Sequence, residues 1–310
     1  MKRSKVEFKK RVKKARPSLG ESTLTVYTNN LARVAKLAEK EAIPDTSGWL
    51  DDEALRKKVG KLDIKVRRHL LTAVVVALGA YGKERTGAWG KMLAEASEQY
   101  SKIRDKREKS EVEVSKWPKG GHKAIKKILS ALKPKADRVL SKTEPTKSDL
   151  FALQKYLIFL LYDANPWRND PATFQVGQND NGNRIFRKKG SRNWTVLMRQ
   201  HKTSKSLGTV EIVLSTAISR KLSKVIPFLM KNRKGDKLLY TSKGQPMSRS
   251  ALSKLLLRTT DSILGKKFGS RQLRVMFASS QEAVEVREKA EEQAKRMLHS
   301  QKMHKTYSKR

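Results

Sequence analysis

The sequence predicts a mainly α, α+β fold: an N-terminal helical bundle followed by an α-rich domain carrying one small antiparallel β-sheet. Three observations lead there. Apolar residues recur at three- and four-residue steps over most of the chain, one stretch between about 173 and 214 alternates with the two-residue period of strands, and Pro and Gly break the pattern between 115 and 146. With 310 residues, 37% of them hydrophobic and spread along the length, two cores are expected.

Residues 1–16, dominated by Lys9, Lys10, Arg11, Lys13 and Lys14, read as a basic arm with too little periodic apolar content to pack. Ser22 is a capping residue ahead of Leu24, Tyr27, Leu31, Val34 and Ala38, which form one stripe of an amphipathic helix. Helices follow at about 51–60 and 64–81, the second carrying Leu70, Leu71, Val74, Val75 and Leu78 behind the cations Lys65, Arg67 and Arg68. A fourth is expected over 86–113, which completes a helical domain at 17–114.

The stretch 115–145 holds Trp117-Pro118, Gly120-Gly121, Pro134 and Pro145, with one short helix around Ala124 to Leu132, and reads as the interdomain linker. The second domain, 146–310, opens on Thr146-Lys147-Ser148-Asp149, a capping-box start for the helix through Leu150, Leu153, Leu157, Leu160 and Leu161 that Pro166 ends. Strands are expected at Thr173–Val176, Arg184–Arg187, Trp194–Met198 and Val210–Leu214, with turns at Asn181-Gly182 and Gly190-Ser191. Helical segments return near 216–231, 247–264, 270–279 and 281–298.

Charge narrows the function. Seventy Lys plus Arg against thirty Asp plus Glu give a formal net charge of +40, which points to a polyanionic partner. No apolar run approaches the length of a membrane span, the best being Leu70 to Leu78, and no apolar region follows the basic start as in a secretory signal. The absence of cysteine excludes disulfides and thiolate zinc sites. A nucleic acid is therefore an expected partner, with Lys65, Arg67 and Arg68 as candidate contacts, no span across a membrane, and an intracellular location, nuclear in a eukaryotic host and otherwise cytoplasmic. The glycines of Gly82 to Lys91 do not form a phosphate-binding loop, because Ala88 and Trp89 stand where the pattern needs Lys and Ser or Thr. His201, His299 and His304 have no acidic or cysteine partner at ligand spacing, so no metal is expected.

Five residues of the second domain carry chemistry together: Arg168, Lys202, Arg274, His299 and Tyr307. Their phrases are Asn165-Pro166-Trp167-Arg168-Asn169-Asp170, His201-Lys202-Thr203-Ser204-Lys205, Arg271-Gln272-Leu273-Arg274, Leu298-His299-Ser300 and Thr306-Tyr307. A phosphodiester under nucleophilic attack concentrates negative charge on its non-bridging oxygens, which two guanidinium forks stabilise. A phenol such as that of Tyr307 can store the bond as a phosphotyrosyl ester without ATP. The departing 5′-oxygen needs a proton, which a lysine of lowered pKa supplies.

In order and context these phrases resemble the tyrosine recombinase, or phage integrase, family of DNA breaking and rejoining enzymes. The resemblance covers the chain in outline and is strongest from about 146 to 310. It implies a helical core-binding domain at 17–114, a catalytic domain at 146–310, Arg168 and Arg274 on the scissile phosphate, Lys202 as general acid, and Tyr307 as nucleophile. His299 is implied as a phosphate donor or a proton acceptor for the phenol. It lies eight positions before Tyr307, about one fewer than in many bacterial members. It also implies that the nucleic acid is double-stranded DNA, that no cofactor is needed, and that a homotetramer on two DNA segments is the active assembly. One position departs from the pattern: Arg271 stands where the family usually has His, and a guanidinium binds phosphate but accepts no proton. Two rivals share these features, a type IB topoisomerase and a catalytically inactive architectural DNA-binding protein of the same fold.

Overall fold

The structure, a computed structural model, describes residues 2–106, 108–178, 181–280 and 285–286, and the chain divides into two units, Met1–Lys109 and Ser110–Arg310. The first residues are not an unpacked arm. They form α1 (Lys2–Ala15), which is held because Phe8 and Val12, one turn apart on a helix, are both buried in the core of the first unit. The Phe8 ring lies 6.2 Å from that of Tyr81, and the Arg11 guanidinium sits over the same ring at 4.9 Å. Burial pushes the Tyr81 phenol up to about 12, and its hydroxyl donates to the Pro44 carbonyl.

α2 (Glu21–Leu37) begins one residue before Ser22, with Gly20 at its N-cap and no side-chain capping bond, so Ser22 lies within the first turn rather than capping it. Aspartates do cap the next two helices: Asp52 accepts from the Ala54 amide at α3 (Glu53–Gly60), and Asp63 from those of Lys65 and Val66 at α4 (Ile64–Ala80). α4 is the centre of this unit, burying Leu70, Leu71, Val74, Ala77 and Leu78. Gly90, within the first turn of α5 (Ala88–Asp105), is structural, since a Cβ there would collide with the Arg85 carbonyl. The single helix expected over 86–113 is broken after Asp105. Ser110 and Glu113 exchange capping bonds and start a separate helix, α6 (Glu111–Lys116), in the second unit.

The stretch expected as a linker is also part of that unit. Its short helix is the seventeen-residue α7 (Ala124–Leu140), which buries Ile125, Ile128, Leu129, Ala136 and Val139 in the same core as α8 (Lys147–Ala164). Helix α8 starts on the Thr146–Asp149 capping box and stops at Asn165, whose extended backbone is what the following Pro166 requires.

Four strands, β1 (Gln175–Val176), β2 (Arg184–Arg187), β3 (Trp194–Met198) and β4 (Val210–Val213), form one sheet in that order. The sheet is mixed rather than antiparallel. β2, β3 and β4 pair antiparallel, but β1 pairs parallel with β2, Gln175 opposite Arg184 and Val176 opposite Ile185. Asn181-Gly182 thus ends a loop that carries the chain back to the level of Gln175, which a tight hairpin turn would not do. The segment between β3 and β4 contains a single helical turn, α9 (Ser204–Leu207).

Helices α10 (Thr216–Lys231), α11 (Arg249–Leu264) and α12 (Ser270–Ala278) follow, α10 and α11 capped by Ser215 and Ser248. Buried Gln154 joins α8 to the segment before α11, accepting from the Arg233 guanidinium and the Tyr240 amide while donating to the Tyr240 carbonyl. The helix expected over 281–298 lies outside the described residues except at 285–286, which are helical. No helix among the described residues is long and apolar enough to cross a membrane.

Candidate active site

Arg168 is placed by the end of α8. Pro166 turns the chain, Trp167 is buried with its indole N–H donating to the Leu161 carbonyl at 2.7 Å, and its ring meets Phe174 edge-on at 5.4 Å. The Tyr162 hydroxyl donates to the Arg168 carbonyl at 2.5 Å. Burial raises that phenol's pKa well above its ordinary value, so the donor is kept protonated. The Arg168 backbone is therefore fixed while its half-buried side chain lines a cleft of about 210 Å³.

Arg274 reaches the same cleft from α12. That helix commits Gln272, Leu273 and Met276 to the interior, leaving Arg274 half-buried at the edge of the packed face. His201 lines the cleft as well, together with Asp170, Leu207 and Ile212. Asp170 is buried and faces the Arg249 guanidinium at 3.5 Å, so one cation from the start of α11 offsets the only carboxylate among the lining residues. Two arginine side chains around a small open space suit a tetrahedral oxyanion, while both ring nitrogens of His201 are engaged with Gly208 and Thr203.

The other expected residues stand apart from this wall. Lys202 is exposed in the turn between β3 and α9, adjacent in sequence to His201 but not itself lining the cleft. Arg271, with 87% of its side chain exposed, does not line the cleft either and lies 3.7 Å from Glu113. His299 and Tyr307 lie outside the described residues. In the first unit Lys65 is exposed, whereas Arg67 donates to the Gly60 carbonyl and to Gln99, and Arg68 lies 4.5 Å over the Tyr100 ring. Two of the three candidate DNA contacts are thus engaged within their own unit.

Sequence reasoning gave Asp170 no role and weighed His201 only as a metal ligand, though both lie in the quoted phrases, two residues after Arg168 and one before Lys202. It missed Asn183 altogether, and no local signal marks that residue. A scan of the sequence against protein-family models finds no match, and a search of curated proteins finds none.

Proposed function

We propose that the chain is a site-specific DNA recombinase or integrase of the tyrosine recombinase kind, which cuts and rejoins strands without metal or ATP. The observation that carries this reading is that Arg168, after α8, and Arg274, on α12, more than a hundred residues apart in sequence, line one cleft beside His201. In the reaction, the Tyr307 oxygen attacks phosphorus and the bond to the 5′-oxygen breaks. Lys202 gives that oxygen its proton, the phenol's proton passes to solvent, and a 3′-phosphotyrosyl ester remains. Attack by a 5′-hydroxyl reverses each step and restores the diester. Arg168 and Arg274 hold the non-bridging oxygens as their charge grows. The net charge of +40 suits a duplex gripped through its phosphates, with strongly salt-dependent affinity. A homotetramer on two DNA segments and an intracellular location belong to the same proposal.

A second reading has one observation in its favour. Arg271 faces Glu113 rather than the cleft, as it would in an inactive architectural protein that kept the fold. Suicide substrates carrying a nick, with candidate sites taken from the DNA flanking the chain's own coding sequence, separate the two. The recombinase reading expects a covalent protein–DNA adduct on a denaturing gel that Tyr307→Phe abolishes. Binding without any adduct supports the architectural protein.

A further inference from the structure

We infer that Asn183 and His201 are positioning residues that together hold the turn bearing Lys202 against the Arg168 side of the cleft; this role rests on the recombinase reading. Asn183 is 1% exposed and uses its whole hydrogen-bonding capacity. Its Nδ2 donates to Thr173 Oγ1 at 2.8 Å and to the Gln200 carbonyl at 2.9 Å, while its Oδ1 accepts from the amides of Arg199 at 2.9 Å and Gln200 at 2.8 Å. Thr173 closes the short 3-10 turn Asp170–Thr173 that follows Arg168. The Thr173 hydroxyl in turn donates to the Asp170 carbonyl at 2.7 Å, so one buried amide ties this turn, two to five residues after Arg168, to the backbone just before Lys202.

His201 closes the turn from the other side. Its Nε2 is 2.9 Å from the Gly208 carbonyl oxygen and its Nδ1 is 3.2 Å from Thr203 Oγ1. A carbonyl only accepts, so Nε2 carries the proton, and in the neutral ring the Thr203 hydroxyl donates to Nδ1. Gly208 has φ 63° and ψ −149°, a conformation that only glycine adopts freely, and it presents its carbonyl to the imidazole. Lys202 sits between these two fixed points with its side chain exposed. A general acid needs this combination, since a fixed origin limits the space its ammonium searches, and about 1 Å of misplacement costs on the order of 10²-fold in rate.

The test uses the full chain and two nicked substrates, one with the natural 5′-oxygen and one with sulfur at that bridging position. A thiolate leaves without a proton, because a thiol pKa is about 8.5, against about 15.7 for bulk water, taken here as a guide to an alkoxide. His201→Ala is expected to slow adduct formation on the oxygen substrate by about 10²-fold and to approach the wild-type rate on the sulfur substrate, as Lys202→Ala should. Arg168→Ala should stay slow on both. His201→Asn, which retains an N–H for the Gly208 carbonyl, should recover most of the oxygen-substrate rate. Hydrogen exchange of the 203–208 amides should quicken in His201→Ala. Equal slowing on both substrates, no slowing on either, or unchanged exchange overturns the positioning role. Absence of an adduct from the wild-type chain on both substrates, despite DNA binding, overturns the recombinase reading itself and this role with it.

Discussion

Phe8→Ala asks whether the basic N-terminus is an arm or an integral helix. α1 has fourteen residues and eight Lys or Arg side chains, so alone it would be short for a stable helix and strained by like-charge repulsion. It persists by docking Phe8, 4% exposed, and Val12, 1% exposed, against the first unit's core. Burying two such side chains contributes roughly 3–6 kcal/mol, and truncating a buried Phe costs about 3–5 kcal/mol. We take the lower figure because a terminal helix can relax. A loss of about 3 kcal/mol lowers protection of the α1 amides roughly 10²-fold, at about 1.4 kcal/mol per tenfold. Hydrogen exchange on the full chain reads this directly, with α4 amides much less affected. Lys10→Ala and Lys14→Ala, at exposed positions of the same helix, should leave exchange unchanged. If this face contacts DNA, each should reduce the salt dependence of binding by about one phosphate contact. Unprotected α1 amides in the wild-type protein, or protection indifferent to Phe8→Ala, would refute the reasoning.

Arg168→Ala and Arg274→Ala should each reduce adduct formation by about 10²–10³-fold, and Lys at either position should not restore it, because an ammonium lacks the bidentate fork. Arg271→Ala, exposed and facing Glu113, should reduce it by less than about a tenth of that effect; an equal loss would bring Arg271 into the cleft during catalysis. Chelator should leave adduct yield unchanged, and a magnesium requirement for cleavage would sink the mechanism. Lys142 and the Thr146 capping bonds hold the Asp149 carboxyl down from its ordinary 3.8 to about 2. Because the folded value lies below the unfolded one, the carboxylate's contribution is fully present above about 3.8 and disappears as pH falls through about 2. Asp149→Asn should therefore flatten that part of an acid-unfolding profile followed by circular dichroism.

The fold was legible where a local signal agreed with the packing. Thr146 and Asp149 announce α8 because a capping box is a purely local device, and Pro166 marks its end for the same reason. The failures share a cause. Phe8 and Val12 are too few to make a periodic stripe, yet two side chains suffice once Tyr81 and α4 supply the other wall. Pro134 argued for ending α7 early, but the helix runs through it because its apolar face is committed to the core on both sides. The direction of β1 was hidden because two residues carry no alternation, and the pairing is fixed by distant partners such as Asp236, whose carbonyl accepts from the Val176 amide.

The candidate site divides along a different line. In a chain with seventy Lys and Arg residues, residue type says almost nothing about role, and what distinguishes one cation from another is whether its donors are already spent. Arg67 has given bonds to Gly60 and Gln99, and Arg68 lies on Tyr100, so the basic start of α4 is in part internal structure. Arg168 has its carbonyl, not its guanidinium, bound by Tyr162, and its side chain lines the cleft. The residue that holds the turn of Lys202 in register, Asn183, carries no charge and lies in no motif. Its role arises only when β2 folds beside β3 and brings Thr173 and Gln200 within reach of one amide. Two of the ordered phrases thus pointed to arginines that line one cleft, whereas the bonds of Asn183 are visible only in three dimensions.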